Sequence, residues 1–279
     1  EHAGAGVLEL LLDSRADADQ ANHASITPLC AACRTGSAQS IALLLQHGAD
    51  PSVSDTHGWP PLFHIAARDR REECLLLLLG GSGVAHCDKD GRTAVSVAAQ
   101  KGSLATLQLL LGEAVQAEHV QDKSGWTPLM IAVRNKQNHI VEWLVSKQCP
   151  IEVHLEAQDS VQCTALMHAA STGNVIALNM LLEAGADVCH VDNNRWTALM
   201  LAARFGHTPA VQALLGAKAD PSYEHNACSA LSLAANHGHR PVVLLLMKRF
   251  KEAQAELGGT GSSGSSSQRN LELTLMNMM

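Results

Sequence analysis

The chain has 279 residues, 46% of them apolar, and a formal net charge of −7. That is enough apolar material to bury a continuous core, and too acidic a balance for an affinity built on neutralising a phosphate backbone, so nucleic acid is not an expected partner. Apolar runs such as Leu75 to Leu79 and Val242 to Met247 fall well short of the roughly 18 to 20 residues that cross a bilayer, and no basic region followed by an apolar stretch opens the chain. No membrane insertion is expected, and the chain reads as intracellular and cytoplasmic.

From the N-terminus, Val7 to Leu12 reads as a helix whose apolar residues match Ile41 to Leu45 at an offset of 33. A recurring triplet then sets the organisation. It stands at Thr27-Pro28-Leu29, Pro61-Leu62-Phe63, Thr93-Ala94-Val95, Thr127-Pro128-Leu129, Thr164-Ala165-Leu166, Thr197-Ala198-Leu199 and Ser229-Ala230-Leu231, at steps of 34, 32, 34, 37, 33 and 32 residues. Such a period marks a repeat architecture. Small pairs follow the triplets at Ala66-Ala67, Ala98-Ala99, Ala169-Ala170, Ala202-Ala203 and Ala234-Ala235, where they permit close helix contact. Leucine runs such as Leu43 to Leu45, Leu109 to Leu111 and Leu214-Leu215 predict a second helix in each unit, and Gly48 and Gly185 supply left-handed caps behind it. The longest step carries its extra residues around Cys149 to Ser160, which predicts a longer projection there. The last helix, Val242 through Lys251, places Lys248, Arg249 and Lys251 in its final turns, where positive charge suits the helix dipole.

These triplets, the alanine pairs and the period resemble the ankyrin repeat, with its Thr-Pro-Leu-His-x-Ala signature. The resemblance covers residues 1–257. It implies an all-α solenoid of helix pairs with projecting β-turn or hairpin fingers, about seven repeats plus a partial N-terminal one that lacks its first helix and so reads as a start inside a longer array. The signature histidine is read at His64, with Met130, Met167 and Met200 in its slot in later repeats as packed core.

The resemblance also implies a groove lined by the residues just before the triplets and just after the alanine pairs. Trp126 and Trp196 hold the first slot, with Trp59 nearly equivalent; Arg34, Arg68, Arg134 and Arg204 hold the second, with Phe205 beside Arg204. Tryptophan is enriched at binding hot spots, and an arginine row suits a ligand carrying carboxylates. The bland alternatives are tryptophans packed between neighbouring fingers and arginines on a solvated face.

Residues 258–267, Gly-Gly-Thr-Gly-Ser-Ser-Gly-Ser-Ser-Ser, form a flexible linker of engineered character. Residues 268–279 follow, dense in large apolar side chains: Leu271, Leu273, Leu275, Met276, Met278 and Met279. The pattern reads as a partner-derived peptide tethered to raise its effective concentration, its bound form, helix or strand, left open.

Eight cysteines in a chain with a large core are expected as reduced thiols; Cys30 and Cys33 form a lone CxxC with no second pair to complete a metal site. No motif places a nucleophile with a base, a carboxylate pair or a phosphate-cradling loop, so no catalytic residue, metal or cofactor is expected. The expected function is a protein-interaction module binding a short apolar segment. The competing readings are a spacer or oligomerising scaffold that uses its sides, or the targeting arm of a larger enzyme.

Overall fold

The computed structural model describes residues 2–81, 83, 86–113, 121–146, 148–149 and 153–256. The expected linker and tethered peptide, 258–279, and part of the insertion after Cys149 lie outside the described residues. The chain divides into two compact units, Glu1–Val153 and His154–Met279.

The first unit opens with α1 (His2–Asp13) and continues through four helix pairs: α2 (Pro28–Thr35) with α3 (Ala38–Gln46), α4 (Pro61–Ala66) with α5 (Arg71–Leu79), α6 (Ala94–Lys101) with α7 (Leu104–Glu113), and α8 (Pro128–Arg134) with α9 (Asn138–Val145). The second has three: α10 (Ala165–Thr172) with α11 (Val175–Glu183), α12 (Ala198–Arg204) with α13 (Thr208–Gly216), and α14 (Ala230–Asn236) with α15 (Arg240–Glu256). Within each unit the first helices pack side by side in one row, α2, α4, α6, α8 and α10, α12, α14. Second helices form another row, α1, α3, α5, α7 and α11, α13, α15. The core lies between the rows, where Leu29, Leu44, Leu62, Leu77, Leu107 and Leu129 of the first unit and Leu166, Leu181, Leu199, Leu214 and Leu246 of the second are buried. No helix among the described residues is long and apolar enough to cross a membrane.

Five of the first helices start where a side-chain hydroxyl accepts an N–H that has no helical acceptor. The Oγ atoms of Thr27, Thr93, Thr127, Thr197 and Ser229 accept the backbone N–H three residues on. Proline at the following position in α2 and α8 costs nothing, because that N–H has no helical acceptor. In the second repeat the N-cap is Pro60 and Pro61 is the first helical residue. The triplet there is therefore Pro60-Pro61-Leu62, one residue earlier than the sequence reading placed it. Three consequences follow: the small pair becomes Ile65-Ala66, Ala67 takes the slot of Arg34, and the signature slot holds buried Phe63 instead of His64. Met130, Met167 and Met200 are each 1% exposed and belong to the core, as expected.

Neighbouring repeats lock through the turn between their helices. Gly36, Gly102, Gly173 and Gly206 have positive φ, and a side chain of the next repeat crosses directly over each: Arg70, Gln137, His207 and His239. Those side chains donate to carbonyls of the preceding repeat, His207 Nε2 to Ser171 at 3.1 Å and His239 Nε2 to Arg204 at 2.9 Å. The last helix corrects a second expectation. It runs on to Glu256, so Lys248 and Arg249 are not at its end; they face Glu252 at 3.9 and 3.3 Å.

Candidate functional site

The fingers preceding the first helices are built by one device. The residue five before each N-cap is Asn22, Asp55, Asp88, Asp122, Asp159 or Asp192, with Glu224 in the last repeat. In the first six, one side-chain oxygen accepts two backbone N–H groups, two and four residues on: Asp55 Oδ1 from His57 and Trp59 at 2.8 and 3.0 Å, Asp192 Oδ1 from Asn194 and Trp196 at 2.8 Å each. Two residues before each N-cap the backbone is left-handed, at Gly58, Gly91 and Gly125 but also at Ser25, Gln162, Arg195 and Ala227. The sequence reading passed over this aspartate, although its fixed spacing from the triplet was there to be seen. Among the described residues a true hairpin is found in the last finger, where β1 (Glu224–His225) pairs antiparallel with β2 (Cys228–Ser229).

The turn delivers the residue before the N-cap to the face of the first helix. In two repeats this joins the predicted tryptophan and arginine. Arg134 lies over the Trp126 ring, 4.9 Å from its centroid, in the first unit; Arg204 lies over Trp196 at 4.8 Å in the second. Arg204 is also 5.6 Å from the Phe205 ring, which stays 49% exposed and stacks on His207 at 6.3 Å. A guanidinium on an indole is favourable in itself and keeps its edge available for a carboxylate.

Trp59 and Arg68 are not brought together. Trp59 packs on Phe63 and His64, at 5.8 and 5.6 Å between centroids, and donates its indole N–H to Asp88 of the next finger at 3.2 Å. Packing between fingers accounts for its position. Arg68, displaced one residue from the arginine slot, is exposed and donates to the Arg34 carbonyl. The second carboxylate oxygen of the finger aspartate also reaches a histidine at equivalent places in two repeats, Asp55 with His64 at 3.5 Å and Asp159 with His168 at 2.9 Å. Burial, opposed by the charge of Asp55, holds the His64 pKa below its ordinary value.

Other polar groups tie the fingers to one another. Glu156 accepts the Asp187 N–H at 2.8 Å, as Asp19 accepts that of Asp50 at 3.0 Å, and His190 Nε2 meets the Gln162 carbonyl at 3.1 Å. Glu156, Asp187 and His190 bring donor atoms within 4.8 Å of one another, but the acid-to-backbone bond recurs without a histidine in the first unit and so reads as part of the repeat. Cys30, Cys33, Cys74 and Cys163 are buried thiols; desolvation raises their pKa values, to about 12 for Cys74 and Cys163. They are core residues with little thiolate character.

Comparison with known proteins agrees with this architecture. A family model described as ankyrin repeats (3 copies) matches residues 2–85, 64–157, 96–192, 149–225 and 166–257. The chain is 29% identical over 195 residues to the mouse B-cell lymphoma 3 protein homolog, covering 67% of this chain and 42% of that protein. It is 32% identical over 189 residues to the ankyrin repeat and KH domain-containing protein mask-1 of Caenorhabditis elegans, covering 66% of this chain and 7% of that one. The chain thus spans less than half the length of either relative. The crystal structure of the ankyrin repeat domain of Bcl-3 superposes with a TM-score of 0.67 at 24% identity, over 79% of this chain and 98% of that one, a likeness of fold. With family matches running from residue 2 to residue 257 and seven helix pairs on the same plan among the described residues, the chain belongs to the ankyrin-repeat family.

Proposed function

We propose that this chain is an adaptor that holds a short apolar segment of a protein partner against the face formed by its first helices and fingers, and that residues 268–279 are such a segment, tethered through the Gly/Ser linker 258–267. Ankyrin repeats are protein–protein interaction modules. The observation that carries the finer reading is Phe205: a large aromatic ring left 49% exposed, held between Arg204 and His207 beside Trp196, where an apolar partner residue would gain most from burial. The Trp126 and Arg134 pair offers the same chemistry in the first unit. A linker of ten flexible residues spans on the order of 17 to 19 Å on average, enough to present the segment locally.

Calorimetric titration of a synthetic 268–279 peptide into residues 1–257 tests this. Saturable binding near one to one is expected. Trp196→Ala and Phe205→Ala each weaken it by more than about 1 kcal/mol, as for a buried aromatic anchor. Unchanged affinity in both variants would remove this pair as the contact, and no binding would remove the peptide as the ligand.

A further inference from the structure

Between the fingers of the first three full repeats, inside the first unit, lies a cleft of about 630 Å³. Its lining joins an apolar wall, Ile26 and Trp59 in the same slot of consecutive repeats, to Arg34, Asp55, His64 and Arg92. Both wall residues are half-buried, so part of each side chain still faces solvent. Most charges around the cleft are already matched. Asp55 accepts two backbone N–H groups and faces His64. Arg92 is held by Asp88 and Asp90, each at 2.9 Å, and Lys89 donates to the Thr56 carbonyl at 2.6 Å.

Arg34 is the exception. It is exposed, and among the described residues its guanidinium has no hydrogen bond or ion pair. Its counterparts Arg134 and Arg204 lie over the tryptophan of their own finger, where this repeat has Ile26. Arg68 brings a second guanidinium to the same rim, donating to the Arg34 carbonyl. Burial lowers the His64 pKa, and the charges of Arg34 and Arg68 add to that effect against Asp55. With the aspartates engaged, the charge left over at this cleft is positive, although the whole chain carries −7.

We propose that the cleft is a second docking site, built of other residues than the Phe205 contact, for an acidic segment of a protein partner. One aspartate or glutamate carboxylate of that partner pairs with the Arg34 guanidinium, and an aliphatic neighbour lies against Ile26 and Trp59. A guanidinium fork takes a carboxylate through two parallel N–H donors, and an apolar wall beside the pair shields it from water. Asp55 and Asp90 in the same lining weigh against a phosphate dianion, whose second charge Arg34 alone does not offset. The site lies wholly within the first unit and needs no part of residues 268–279.

The test is a selection from a library of random twelve-residue peptides on the full chain and on its Arg34→Gln, Arg134→Gln and Ile26→Ser variants. Circular dichroism confirms equal helix content. Peptides with an acidic residue beside an aliphatic one are expected to be enriched on the unaltered chain and on Arg134→Gln. The acidic preference disappears on Arg34→Gln, and the aliphatic one on Ile26→Ser. In calorimetry the best such peptide binds Arg34→Gln about tenfold more weakly than the unaltered chain, and amide replacement of its acid has the same effect. Both changes together cost no more than one, and Arg34→Lys recovers only part of the loss. Selected peptides without an acidic preference, or with one that survives Arg34→Gln, overturn the proposal. So does a preference lost on Arg134→Gln instead. Enrichment of purely apolar peptides alone overturns it while leaving the Phe205 contact standing.

Discussion

At the scale of single residues, the repeat depends on positions where a side chain is forbidden. Gly173 has φ +65°, and a Cβ there would stand 2.6 Å from the His207 ring that reaches across from the next repeat. Gly173→Ala therefore incurs both the left-handed backbone cost and the displacement of an inter-repeat hydrogen bond, together about 1 to 3 kcal/mol. Gly185, at φ +93° with nothing within 4 Å, carries only the backbone cost. Urea denaturation of the two alanine variants should rank them in that order; equal losses would mean that the His207 contact contributes nothing. His64 makes a pH prediction. Its folded pKa lies below the ordinary value, chiefly through burial, so the unfolded chain takes up the proton first as pH falls. The contribution of this group to stability is present above about pH 6.5 and is lost as pH falls through that value toward the lower folded pKa. His64→Gln should flatten the fall in urea midpoint between pH 7 and pH 5, and an unchanged slope would assign the acid sensitivity elsewhere.

At the scale of the element, the finger is a turn organised by one acceptor. Asp192 is 5% exposed and satisfies the N–H groups of Asn194 and Trp196 with one oxygen, which is what places Trp196 beneath Arg204. Asp192→Ala leaves two donors without their acceptor and should cost roughly 1 to 3 kcal/mol, with faster hydrogen exchange at residues 194 and 196. Asp192→Asn keeps the accepting oxygen and should be close to neutral, since Asn22 performs the same task in the first finger. A loss from the asparagine variant as large as from alanine would show that charge, not acceptance, is what the finger needs. The helix pairs themselves were legible: hydroxyl, proline or small residue, leucine, then alanines fall at fixed spacing because each helix must begin with a cap and pack closely on its neighbour. The second repeat misled by one residue because Pro60 replaces the hydroxyl that marks the start elsewhere, and a Pro-Pro pair offers two equally plausible first positions.

At the scale of the molecule, stability comes from neighbour-on-neighbour burial within each unit, and the surface carries a net charge of −7. A duplex DNA of about 20 base pairs should show no mobility shift with this chain near physiological salt, because a net negative charge opposes the phosphate contacts whose counterion release drives such binding. A salt-sensitive shift would instead point to local basic patches outweighing the net charge.

The period, the helix pairs, the buried leucines and the family are written in local sequence, since capping, helical spacing and close packing are demands that each repeat meets with its own residues. The slots before and after each triplet could be located from the same spacing. What occupies them in space was decided by tertiary structure. Trp126 and Trp196 receive a guanidinium from the first helix of their own repeat, whereas Trp59, whose repeat has Ala67 in the arginine slot, is drawn to Asp88 of the following finger. Those outcomes depend on how far one repeat's side chain reaches across the next, a distance set by the stacking of helices and fingers and not by residue type or order along the chain.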